Sequence, residues 1–203
     1  MNAEEMRAAL GNPVIGREIL ILPETTSTND EILARLTPET PEGLVIFAEH
    51  QTAGRGQRSN RWESIEQKGL WFSILLRPRL DIGESPRLTA WAAQTVAQTI
   101  RQEFSLTPTI KSPNDIQIGD RKVAGVLVEM RAQPAAPHIA IAGIGINVNH
   151  APEDFSEELG PRAISLSMAL DRNVDRQQFA VALLRNLDMT YCETFAISRI
   201  QSR

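Results

Sequence analysis

The chain contains one cysteine, Cys192, which excludes an internal disulfide and a cysteine-built metal site. Its three histidines, His50, His138 and His150, lack metal-ligand spacing. Positive charge is not in excess. The formal net charge is -4, so a general affinity for nucleic acid backbones is not indicated. No stretch approaches the roughly 20 apolar residues that a membrane span requires. Met1-Asn-Ala-Glu-Glu-Met-Arg7 lacks the basic start and apolar core of a signal peptide. A reducing cytoplasm is the expected location. Internal repeats, low-complexity segments and a clear linker are also lacking. What remains is an ordinary globular composition, 42% hydrophobic and 23% charged over 203 residues, which suits one domain spanning residues 1–203.

Read in order, the pattern mixes strands and helices. Residues 1–16 are weakly helical. Glu18–Leu22 is a predicted strand closed by Pro23, and a polar cluster, Glu24 to Glu31, follows it. Thr28 with Glu31 fits a capping box at a helix start, and Pro38 stops that helix. The cluster is denser in hydroxyls and amides than capping alone requires. Apolar runs at Leu44–Ala48 and Leu70–Leu76 predict buried strands. Pro86–Phe104 has the apolar spacing of a long helix. Ile116–Ile118 and Lys122–Met130 predict a short-loop strand pair, with Gly125 marking a bulge or a close approach to the backbone. His138–Asn149 is a small-residue strand. Gly143 and Gly145 share one of its faces and leave a groove for something flat, or for tight helix packing. Ala163–Leu170 and Asp175 to about Phe195 predict two further helices.

Two segments stand apart from this scaffold. Between the two apolar strands lies Gln51-Thr-Ala-Gly-Arg-Gly-Gln-Arg-Ser-Asn-Arg-Trp62, with Gly54, Gly56, Arg55, Arg58 and Arg61 close together. Glycines let successive N–H groups converge on an oxygen, and guanidinium forks grip phosphate or carboxylate. A solvated basic turn is the plainer reading. Its like charges predict a segment that repels itself until an anion arrives. The second segment is Lys111-Ser-Pro-Asn-Asp115, where a lone lysine ends a strand and Pro113 turns the chain beyond it. A surface lysine at a strand end is the alternative.

Taken together, Ser27-Thr-Asn29, Gln51–Trp62, Lys111–Asp115, Lys122-Val-Ala-Gly-Val-Leu-Val-Glu129 and Gly143-Ile-Gly-Ile-Asn147 resemble the catalytic domain of biotin protein ligases, also called biotin–acetyl-CoA-carboxylase ligases. The likeness runs from about residue 18 to about residue 190. It implies an α+β fold with a mixed, mostly antiparallel sheet flanked by helices, akin to class II aminoacyl-tRNA synthetase cores. It also implies an ATP-dependent enzyme that makes biotinyl-5'-AMP and passes biotin to a lysine of a biotin carboxyl carrier domain. Mg²⁺ is expected with ATP, held mostly by phosphates and water. By the same resemblance Lys111 bridges the biotin carboxylate and the α-phosphate, and Arg55 joins it as a catalytic residue. Ser27, Thr28, Asn29, Gln51, Gly54, Gly56, Gln57 and Gly125 surround biotin. Arg58, Arg61, Trp62 and Asn147 join Arg55 and Lys111 around the adenylate.

The sequence departs from the family pattern at two positions. Gln57 stands where an arginine is usual, and Ser112 stands where tryptophan usually follows the lysine, which removes apolar bulk there. The family's usual small C-terminal β-barrel is not present in the chain, and the residues before Glu18 leave no room for the DNA-binding domain of repressor-type members. A homodimer is compatible with this reading; nucleic acid and membrane partners are not expected. The alternatives are a lipoate or octanoate transferase of the same fold and a non-catalytic biotin-binding module.

Overall fold

A computed structural model describes residues 1–57, 60–134 and 137–195. Its centre is a seven-stranded sheet. The strands are β1 (Glu18–Thr25), β2 (Leu44–Gln51), β3 (Gly69–Leu76), β4 (Thr109–Lys111), β5 (Asp115–Ile118), β6 (Arg121–Arg131) and β7 (Ile139–Asn147), in spatial order β1-β2-β3-β7-β6-β5-β4. Among these seven strands only β1 and β2 pair in parallel. Parallel neighbours need a crossover, and here it contains helix α2 (Thr28–Ala34).

The apolar runs are where burial requires them. All eight residues of β3 are buried, as befits a strand covered on both faces. Alternation along β2 separates the two sides of the sheet. Val45 and Phe47 join Phe72, Ile74, Ala142 and Ile144 beneath α3 (Ser85–Phe104) and α5 (Arg176–Thr194). Leu44 and Ile46 join Leu75, Ile139 and Ile141 beneath Ile32 and Leu33 of α2. Phe179, Leu183 and Leu187 of α5 are buried against the first face. Each contributes roughly 1.5–3 kcal/mol by leaving water. Helices α1 (Ala3–Leu10) and α4 (Leu166–Leu170) complete the set.

Three local expectations are corrected. Strand β1 runs through Pro23 instead of stopping before it, which an edge strand allows. The helix expected from Ala163 starts at Leu166, because Ala163 bridges to Lys122 and Ser165 caps the helix through the backbone N–H of Met168. The capping box at Thr28 does not form. Ser27 occupies the N-cap without a side-chain bond, and Gln51 Oε1 takes the Thr28 N–H at 2.9 Å. With that donor satisfied from the neighbouring strand, the Thr28 hydroxyl is available for other contacts.

Candidate active site

Helix α2 covers only part of its face of the sheet. Beside its N-terminus a cleft opens over β3, β7 and β6. Two register pairs make the floor, Gly125 with Gly145 and Leu127 with Gly143. The glycines are required by close approach. A methyl group at Gly143 would stand closer than 3.0 Å to Asn29 Oδ1, and one at Gly145 closer than 3.0 Å to the Trp62 indole. The flat group over the glycine groove is therefore Trp62, a side chain of the site itself.

Polar groups crowd one part of the cleft. Ser27, Thr28, Asn29 and Gln51 all line it. Gln51 Oε1 also accepts from the Thr28 hydroxyl at 3.2 Å, and that hydroxyl lies 2.7 Å from Ser73 Oγ. Ser73 Oγ donates in turn to Asn29 Oδ1. Asn29 Nδ2 donates to Glu129 Oε2 at 2.6 Å. Ser73 is fully buried and connects the residues predicted around the biotin ring. Sequence reasoning missed it, since one serine in an apolar strand carries no signal of its own.

The lysine lining the cleft is Lys122. Lys111 stands exposed on the edge strand β4, outside the lining. A β-bulge explains how Lys122 enters the cleft. Ile116 pairs with Ala124 but Gln117 pairs with Lys122, leaving Val123 as the extra residue of β6. A bulge re-aims the side chains beyond it. Without it, strict alternation would set Lys122 on the face opposite Gly125. With it, Lys122 Nζ comes so near that a methyl at Gly125 would meet it at 3.1 Å. Asp115 Oδ1 holds the ammonium at 2.7 Å, and the Trp62 ring centroid is 5.0 Å away.

Arg55 and Gly56 also line the cleft. The Arg55 guanidinium, expected to meet phosphate, is engaged by carboxylates. Its Nη1 reaches both oxygens of Asp30 at 2.7 and 2.8 Å, and its Nη2 reaches Glu129 Oε2 at 3.0 Å. Burial alone would lower the Arg55 pKa, but these two carboxylates outweigh it and raise it. The like-charge repulsion expected in this segment is therefore offset at Arg55. Arg61 is exposed, donates to the Thr52 carbonyl at 3.2 Å and does not line the cleft. Arg58 lies outside the described residues. Gly54 is buried and accepts the Trp62 N–H, whereas Gln57 is half-buried and outside the lining. Ser112 is exposed and outside the cleft lining. Asn114 is the member of that segment that lines the cleft.

Asn147, expected to read the adenine edge, is buried. Its Nδ2 donates to the carbonyls of Lys122 at 3.4 Å and Ile164 at 3.2 Å. Its amide thus braces the start of β6. Behind the cleft, aromatic rings continue from Trp62 to Trp71 and on to His150 and Phe155. Burial pushes the His150 pKa down to about 4, against the pull of Asp154.

A model of the biotin/lipoate A/B protein ligase family matches residues 21–147. The chain belongs to that family. Over 176 residues it is 39% identical to the bifunctional ligase/repressor BirA of Bacillus subtilis strain 168, covering 87% of this chain and 54% of that protein. It is 34% identical over 185 residues to a biotin–acetyl-CoA-carboxylase ligase of Mycobacterium tuberculosis, covering 85% and 63%. The chain thus spans about half the length of the curated relatives it matches. Among solved structures, the biotin protein ligase of Aquifex aeolicus in complex with biotin and ATP superposes with a TM-score of 0.73 at 27% identity, covering 88% of this chain and 73% of that one. The family fold is the mixed, mostly antiparallel sheet with flanking helices described above.

Proposed function

We propose that this member of the biotin/lipoate A/B protein ligase family is an ATP-dependent biotin–protein ligase and that residues 1–203 act as its catalytic domain. The observation that carries this reading is the lining of one cleft. It combines a hydroxyl and amide cluster at Ser27, Thr28, Asn29 and Gln51 with the cations Lys122 and Arg55. A ureido ring has two N–H donors and a carbonyl for such a cluster. A dithiolane ring has no hydrogen-bond donors to offer such a cluster, which favours biotin over lipoate. The relatives from Mycobacterium tuberculosis and Aquifex aeolicus support the same choice.

In the first step a biotin carboxylate oxygen attacks the α-phosphorus of ATP. The mixed anhydride biotinyl-5'-AMP forms and pyrophosphate leaves. Two anions must meet, so stabilising negative charge is the main catalytic task. Our reading gives that task to Lys122, whose support is that it is a cation lining the cleft and paired with Asp115 at 2.7 Å. In the second step the amine of an acceptor lysine attacks the anhydride carbonyl. An amide forms, AMP leaves and the amine proton passes to solvent. The acceptor we propose is a biotin carboxyl carrier domain, and the compartment is the cytoplasm. Mg²⁺ enters as the counter-ion of ATP. It is held mostly by phosphates and water.

The test is exchange of labelled pyrophosphate into ATP with biotin or with lipoate. Biotin-dependent exchange supports the ligase. Exchange with lipoate alone would replace it with a lipoate enzyme, and biotin binding without exchange would replace it with a binding module.

A further inference from the structure

Arg55 ties its segment to two other elements by ion pairs. Asp30 comes from the first turn of α2, and Glu129 comes from β6. The same Glu129 oxygen that accepts from Arg55 also accepts from Asn29 Nδ2. One carboxylate therefore links the ring-side amide to the arginine segment. The three charges sum to -1, so the guanidinium is already more than compensated before any phosphate approaches.

We infer that Asp30 and Glu129 are positioning residues: they clasp Arg55 so that its backbone segment stays over the cleft and retains the reactive adenylate. On this view Arg55 works through where it holds the chain. Gly54 and Gly56 lie on either side of it, and each makes a backbone bond to the return limb, Trp62 N–H to the Gly54 carbonyl and Gly56 N–H to the Asn60 carbonyl. Both ion pairs are about two-fifths exposed on the arginine side. Exposed pairs are weak and screened by salt, so the clasp can open on demand. Asp30 makes no other contact among the side-chain hydrogen bonds above, which makes it the cleaner residue to change.

The inference rests on the adenylate-forming reading for its consequence but not for its geometry, and the experiment separates the two. In the full chain, Asp30→Asn should speed amide hydrogen exchange at Gly56 and Trp62 about tenfold. Asp30→Glu, which keeps the charge, should restore slow exchange. Raising salt should speed exchange more in the unmodified chain than in Asp30→Asn, where only the Glu129 pair remains to be screened. If exchange at those amides is unchanged in Asp30→Asn, the clasp is wrong whatever the enzyme does. With biotin and ATP supplied, the same variant should release biotinyl-5'-AMP about tenfold faster. Its initial rate of pyrophosphate exchange at saturating substrate should stay within about threefold. Slower release would mean that Asp30 had been withholding Arg55 from phosphate, which overturns the proposal. An unmodified chain that makes no adenylate would defeat the ligase reading while the hydrogen-exchange result still decides the clasp.

Discussion

Lys122 and Trp62 meet as a cation over a ring, with Nζ 5.0 Å from the indole centroid and Asp115 on its other side at 2.7 Å. The ring face is worth about 0.5–1 kcal/mol to an exposed ammonium and more when water is excluded. Between a carboxylate and an aromatic face, the ammonium has a preferred position in the cleft without being used up by hydrogen bonds.

That position predicts a division between the two lysines. Lys122→Ala should reduce biotin-dependent pyrophosphate exchange by roughly 100- to 1000-fold, the usual loss when one charge-stabilising donor is removed. Lys111→Ala should change it by no more than a few fold, because Lys111 stands on the exposed edge strand. Circular dichroism and thermal midpoints should match the unmodified chain in both. A collapse of activity in Lys111→Ala with Lys122→Ala unaffected would assign the role to Lys111.

Ser73 should matter without touching ligand. Its hydroxyl joins Thr28 and Asn29 from beneath, in a fully buried place. Ser73→Ala leaves both partners one bond short, a loss of about 1–3 kcal/mol when the groups stay buried. The expected outcome is a raised KM for biotin with kcat for exchange changed much less. Equal falls in kcat with unaltered KM would remove Ser73 from the ring-reading cluster.

Gly143 tests the floor. A methyl there would be driven into the Asn29 amide, which is itself bonded to Ser73 and Glu129 and cannot simply swing away. Overpacking of this kind costs typically 1–3 kcal/mol. Gly143→Ala should lower the thermal midpoint and weaken biotin binding in a titration. Gly83→Ala, where a methyl meets nothing within 4 Å, should do neither.

The parts of this molecule legible in its sequence are those decided by nearest neighbours. The apolar runs of β2 and β3 and the long helix α3 follow from local pattern, as does the crowding of polar groups at Ser27–Asn29. Lys122 was hidden because its direction depends on a bulge, and a bulge is created by register against β5 and not by the residues of β6 alone. The contacts of Asn147 were hidden for a related reason. Its amide is consumed by carbonyls of Lys122 and Ile164, which lie close only after the sheet has formed. Glu129 ended a recognisable segment, but its partners Asn29 and Arg55 come from two other parts of the chain.

His150 gives the pH dependence of stability a specific origin. The side chain is 2% exposed, wedged between Trp71 and Phe155, and burial lowers its pKa from 6.5 to about 4. The sign follows from proton counting. Between pH 4 and 6.5 the unfolded chain binds a proton at this residue that the folded chain refuses, so acidification favours unfolding. The stability from this group is fully present above pH 6.5 and is lost as pH falls towards 4. The shift corresponds to about 3 kcal/mol as an upper figure. His150→Phe keeps a ring against Phe155 and removes the titrating group. Its thermal midpoint should therefore fall less than that of the unmodified chain between pH 7 and pH 5. Parallel midpoint curves for the two proteins would mean that His150 does not control this transition, and that carboxylates such as Asp154, whose own pKa is lowered, carry the acid sensitivity instead.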